Sequence, residues 1–156
     1  LKEKNFIYDL VFSTGTLNHN KSYKNIINEM LRVSKRYTFI DSPRVHFGKD
    51  FKSNLNLTKR FPSNIKKENL VNNYTVNLKN YLIFLNKSLL ENEIYKATFY
   101  FDKLPYKKKY LASNKKIYFL TILCEKSDQI NKTLNYKFLT KDKKAKKLFS
   151  EIFKKI

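Results

Sequence analysis

Apolar and polar positions follow two rhythms along this chain. Residues 6–12 (Phe-Ile-Tyr-Asp-Leu-Val-Phe) form a nearly unbroken apolar run. So short a run, rich in β-formers, predicts a strand buried on both faces, the kind found in parallel sheets. Ser13, Thr14 and Gly15 end it with small, turn-competent residues. Between residues 22 and 35 the rhythm changes, and Tyr23, Ile26, Ile27, Met30 and Leu31 fall at helical spacing. Asn20 or Ser22 can cap this helix, and Arg32, Lys35 and Arg36 suit the negative end of its dipole. Residues 37–40 (Tyr-Thr-Phe-Ile) read as a second strand. Two such strands joined through a helix predict a parallel pair with a crossover.

The rest of the chain is read the same way. Residues 42–63 are basic and irregular, with Pro43, Gly48 and Pro62 among Arg44, His46, Lys49, Lys52, Lys59 and Arg60. A loop of that length is either functional or a mobile, solvated connection. Asn77 can cap a helix reaching about residue 90, whose inner face holds Leu78, Tyr81, Leu82, Leu85 and Leu89. Residues 93–101 and 116–124 read as strands, and the absence of a helical pattern between them implies an antiparallel pair. Residues 127–140 are polar and are expected to be loop. Residues 141–156 form an amphipathic helix with Leu148, Phe149, Ile152, Phe153 and Ile156 on one face. Such a helix can dock on its own domain, meet an acidic surface or lie on a membrane; docking is the expectation. No internal repeat divides the chain, so a single domain is expected.

Composition narrows the class. With 156 residues, 42% of them hydrophobic and 15% aromatic, the chain can bury a core and is not of the disordered kind. Cys124 is the single cysteine, which excludes an internal disulfide and suits a reducing, cytoplasmic compartment. No apolar run approaches the roughly 20 residues that span a bilayer, and no signal-peptide pattern opens the sequence. Two histidines and one cysteine, widely spaced, do not make a zinc site. Ser13 stands on no G-x-S-x-G elbow.

The net charge is +20, from 33 Lys and Arg against 13 Asp and Glu. Two sources compete: a nucleic-acid or anionic-membrane partner, and a base composition rich in A and T, which also favours Asn, Ile, Tyr and Phe. The cations are mostly lysine, whereas base and phosphate readers lean on arginine forks. A nucleic-acid partner therefore stays open without being favoured.

Three stretches resemble one family. Residues 8–19 (Tyr-Asp-Leu-Val-Phe-Ser-Thr-Gly-Thr-Leu-Asn-His) resemble the fourth strand and following loop of class I S-adenosylmethionine (SAM)-dependent methyltransferases. The usual form there is Asp-Leu/Val-Val, a few small residues, then Leu-Glu-His. Residues 28–37 resemble the next helix, whose end often reads Glu-x-x-Arg-Val-x-Lys, and residues 38–43 resemble the fifth strand and its loop. The match covers about the first 45 residues; the later strands are similar in architecture, with a last strand inserted antiparallel beside the fifth.

The resemblance implies an α/β fold: a partial Rossmann-like methyltransferase sheet (β-α-β, then a helix, then two strands, the last antiparallel) plus a C-terminal amphipathic helix. It implies SAM as cofactor, with Ser13, Thr14, Gly15 and Leu17 against its methionine part. His19 and Asp41 become the catalytic candidates, since a base helps when the acceptor is a hydroxyl or amine. Equally, His19 can be a structural histidine bonding its own loop. Arg44 and His46 would stand on the substrate side, facing a small-molecule acceptor. Two positions depart from the family: Asn18 replaces the common Glu, and Ser34-Lys35-Arg36-Tyr37 replaces the Lys-Pro-Gly-Gly turn.

Gly15 and Gly48 are the only glycines, so no G-x-G-x-x-G loop is present, and the sequence opens on Leu1 rather than methionine. The expectation is the C-terminal portion of a methyltransferase domain, inactive alone and completed by the missing N-terminal half. The alternative is a basic module that binds RNA or an anionic surface without catalysis.

Overall fold

The computed structural model describes residues 7–56, 70–94, 96–103, 116–126 and 135–153. Among these residues the fold is mixed α/β: one open sheet of eight strands with three helices.

The first unit is the one the apolar rhythm predicts. Strand β1 (Tyr8–Ser13), helix α1 (Tyr23–Val33) and strand β2 (Ser34–Asp41) follow one another, with a 3-10 turn at Leu17–His19 before α1. β1 and β2 pair in parallel, from Tyr8 opposite Ser34 to Ser13 opposite Ile40. The helix passes into β2 without a loop. Lys126, from far along the chain, donates to the carbonyls of Leu31 and Ser34 there. That cation sits where the dipole is negative.

One expectation for β1 is corrected. The strand is not buried on both faces: Tyr8, Leu10 and Phe12 are exposed, Phe12 to 66%. Among the described residues β1 has one strand neighbour, β2. Only its other face meets the core, through Val11. Phe6 lies outside the described residues.

The segment expected to be a long irregular loop is also corrected. It holds β3 (Arg44–His46) and β4 (Phe51–Asn56); residues 57–63 of that expectation lie outside the described residues. A further strand, β5 (Leu70–Asn77), pairs antiparallel with β4 and parallel with β3. The hydrogen-bonding pattern extends β2 past Pro43, because Ser42 N–H donates to Leu120 O at 3.0 Å and Val45 then pairs with Tyr118.

Helix α2 (Leu78–Glu91) starts at the expected cap: Asn77 Oδ1 accepts from Asn80 N–H at 2.9 Å. β6 (Lys96–Lys103) and β7 (Tyr118–Glu125) form the expected antiparallel pair. β7 also pairs antiparallel with β2, from Tyr37 opposite Glu125 to Asp41 opposite Thr121, so it lies between β2 and β6. Residues 135–139, expected to be loop, form β8 (Asn135–Leu139), parallel to β6. Tyr136 and Phe138 alternate toward the core there, which gives an edge strand its inner face. Helix α3 (Lys143–Ile152) follows, capped by Asp142, whose Oδ1 accepts from Ala145 N–H at 2.9 Å.

The core fills one face of the sheet. Ile40, Ile122, Phe99 and Phe138 meet Ile27 and Leu31 of α1, Leu82 and Leu85 of α2, and Phe149 of α3. Phe99 sits edge-on to Phe149 at 4.6 Å, and Phe138 stacks on Phe149 at 3.8 Å. α3 therefore spends its apolar stripe on docking. The other face keeps Leu10, Phe12, Tyr37, Tyr100 and Leu139 exposed. No described helix is long and apolar enough to cross a membrane.

Candidate functional site

In open α/β sheets ligands gather beyond the carboxyl ends of the strands. Here the ends of β1 and β2 are tied together: Gly15 N–H donates to Asp41 Oδ2 at 2.9 Å. Gly15 has φ +65°, in the left-handed region, and a Cβ there would meet nothing within 4 Å. Backbone conformation, not crowding, selects glycine at this point. Ser13 and Thr16 share a hydroxyl hydrogen bond of 2.7 Å across the same loop. Ser13, Thr14, Gly15 and Asp41 thus form one rim, with Thr14 and Gly15 exposed. Leu17 is not on that rim: its side chain is fully buried and anchors the loop in the core.

His19 is exposed at the end of the 3-10 turn. Its Nε2 lies 3.1 Å from Asn18 Nδ2, and that amide also donates to Asn73 Oδ1 at 2.9 Å. With Asn18 donating, Nε2 is the acceptor and the neutral ring carries its proton on Nδ1. Asn18 is buried and fastens the loop to β5. This amide is therefore a tether. No sequence pattern announced its partner, because Asn73 is 55 positions away.

Arg44 and His46 are carried away from the rim along β3, where both are buried. Gly48 N–H donates to His46 Nδ1 at 3.1 Å, which leaves Nε2–H to donate to Lys49 O at 2.6 Å. Phe51 stands edge-on to the ring at 4.9 Å. A Cβ on Gly48 would come within 2.9 Å of His46 Cε1, so the turn needs glycine there. His46 folds its own turn with both nitrogens.

Below the rim, Tyr81 O–H donates to Ser42 Oγ at 2.9 Å. Burial pushes the Tyr81 phenol up, beyond any physiological range. Tyr23 meets Tyr81 edge-on at 5.8 Å and is pushed up to about 12 by burial and the Asp50 carboxylate. Both phenols stay neutral and can donate. The sequence marks Tyr81 as core; its hydroxyl partner becomes visible only when β2 and α2 are brought together. Burial likewise pushes the Cys124 thiol up, which removes it as a nucleophile. Among the described residues no group of three or more His, Cys, Asp or Glu is placed to hold a metal ion.

No protein-family model, curated protein or solved structure matches the chain. The functional reading rests on its residues and geometry.

Proposed function

We propose that this chain is the C-terminal portion of a SAM-dependent methyltransferase domain, acting on a small-molecule acceptor. One observation carries the reading: the strand order β1-β2-β7-β6. β1 and β2 are parallel and joined through α1, β7 runs antiparallel beside β2, and β6 lies beyond it. The family resemblance calls for that arrangement in the fourth, fifth and last two strands. β3, β4, β5 and β8 are additions to it.

When bound, SAM would supply an electrophilic methyl group, which is the hard part of the chemistry. The residues present fit its methionine part at the rim, where the surface above Gly15 is open. The chain's own contribution is positioning. Asp41 holds the loop by its backbone, Ser13 and Thr16 brace it, and Leu17 fixes it to the core. For His19 to take a proton, its Nε2 lone pair must exchange the Asn18 N–H for the acceptor's hydrogen. Arg44 and His46 support the sheet beside the site and are not assigned to the acceptor.

The test is a backbone-amide NMR titration of the 156-residue chain with S-adenosylhomocysteine. A site that lacks a Gly-rich loop should bind weakly, with a Kd on the order of millimolar. Saturable shifts confined to residues 13–16 and 41 are the expected result. No shifts at that concentration, or shifts scattered over the surface, would overturn the reading.

A further inference from the structure

We infer that the end of the sheet where β1, β2, β6 and β8 finish is a docking surface for nucleic acid. The inference is independent of the methyltransferase reading. Those four strands run in one direction, because β2 and β6 are each antiparallel to β7, β1 is parallel to β2, and β8 to β6. α1 begins beyond β1 after the 3-10 turn, α3 begins shortly beyond β8, and α2 begins beyond β5, which is parallel to β3. Two contacts fix the neighbourhood of the turn after β3. Lys144 Nζ lies 4.6 Å over the Phe47 ring, and Asn77 Nδ2 donates to Gly48 O at 2.7 Å. The starts of α2 and α3 thus meet at one turn.

This end is rich in exposed lysine. Lys21 and Lys24 flank the start of α1, Lys79 the start of α2, and Lys141, Lys143 and Lys144 the start of α3. Lys49, Lys103 and Lys116 stand on the adjoining turn and strand ends. None of these nine forms an ion pair among the described residues. Acids are present, but each accepts from backbone: Asp41 from Gly15, Asp50 from Asn77, Asp102 from Lys103 and Asp142 from Ala145.

Among the described residues the ion pairs lie at the opposite end. Arg32–Glu29 closes α1, Arg36–Asp9 joins the starts of β1 and β2, Lys87–Glu91 closes α2, and Lys96–Glu125 joins the start of β6 to the end of β7. Among the described residues, lysine in no ion pair therefore gathers at one end, although Lys35 is also in none at the other. Base composition can set how many lysines there are, but it cannot sort them by end.

Two features select nucleic acid over a lipid surface. The apolar stripe of α3 is already buried through Ala145, Phe149 and Phe153, so this lysine-rich helix offers no greasy face to a bilayer. The cations are spread over three helix starts as separate hydrated point charges, which suits successive phosphates read without regard to sequence.

The experiment is fluorescence anisotropy of a labelled single-stranded RNA of about 20 nucleotides, titrated with the full chain at rising salt; log affinity should fall with log salt by about 0.7 per phosphate contact. Two triple variants carry the same charge change: Lys21→Glu with Lys79→Glu and Lys143→Glu, against Lys35→Glu with Lys87→Glu and Lys96→Glu. The first should lose roughly tenfold more affinity than the second. Circular dichroism should show both folded; should either triple not fold, Lys143→Glu against Lys87→Glu reads the same contrast. Equal losses in the two variants would overturn the inference, as would no RNA binding at low salt. Preferential binding to phosphatidylserine vesicles with the same lysine dependence would also overturn it, in favour of a membrane partner.

Discussion

Lys126 reaches across the fold to the end of a helix it does not belong to. Burial pulls its ammonium down from the usual 10.5 to about 8, against two carbonyl acceptors and the Glu93 carboxylate, which favour the charged form. The sign of the pH effect follows. Below about pH 8 the side chain is charged in folded and unfolded chains alike, and the folded state carries the whole desolvation penalty. As pH rises from there toward the ordinary lysine range, the folded chain releases the proton first and gains stability. Cys124 and Tyr23 act oppositely at higher pH, since burial keeps them neutral while the unfolded chain ionises. The melting temperature of the native chain minus that of Lys126→Met should therefore rise between about pH 7 and pH 9.5. A flat difference would show that the carbonyl bonds offset the burial. Lysine beyond a strand gives no hint of such a role in sequence. His46 is similar: its type suggests chemistry, and only geometry reveals that both nitrogens serve a turn.

Among the elements, α2 was the most legible and β5 the least. The helix has an Asn cap, an apolar face of the right period and no internal Gly or Pro. β5 reads Leu-Val-Asn-Asn-Tyr-Thr-Val-Asn, and asparagine is a poor strand former. It is a strand because β3 and β4 offer it two ladders. β8 was obscured in the same way, its inward Tyr136 and Phe138 set among polar neighbours. Asn77 joins these elements: it caps α2, donates its side-chain amide to Gly48 O, and donates its own backbone N–H to Asp50 Oδ1. Asn77→Ala should cost about 1–2 kcal/mol in urea unfolding, the usual loss for a cap. A loss below about 0.3 kcal/mol would mean water replaces the cap without penalty.

For the molecule as a whole, the two faces of the sheet carry different weight. Phe99 is fully buried against Phe149, Phe153 and Tyr136, whereas Phe12 stands on the uncovered face. Phe99→Ala should destabilise by about 3–5 kcal/mol. Phe12→Ala should stay within about 0.5 kcal/mol by the same denaturant measurement. Comparable losses would mean that Phe12 is covered in solution. The apolar run in β1 made its parallel pairing legible and its burial illegible. Pairing depends on the strand and its crossover; burial depends on what else lies over it. The candidate site was legible to the same degree. Ser13, Thr14, Gly15 and Asp41 do converge, as two strand ends must in a parallel pair. Leu17 turns out to be fully buried, and its residue type alone does not separate a core anchor from a ligand contact.

The outer side of β1 has a consequence for handling the protein. Among the described residues its outer ladder of amides and carbonyls has no partner strand, and such an edge, flanked by apolar side chains, is a template for another copy of itself. With a formal charge of +20 on each copy, mutual repulsion opposes that encounter. The reach of the repulsion shrinks from about 10 Å in 0.1 M salt to about 3 Å in 1 M. Concentrated brine should therefore turn a well-behaved solution into one that grows filaments, starting at Tyr8, Leu10 and Phe12.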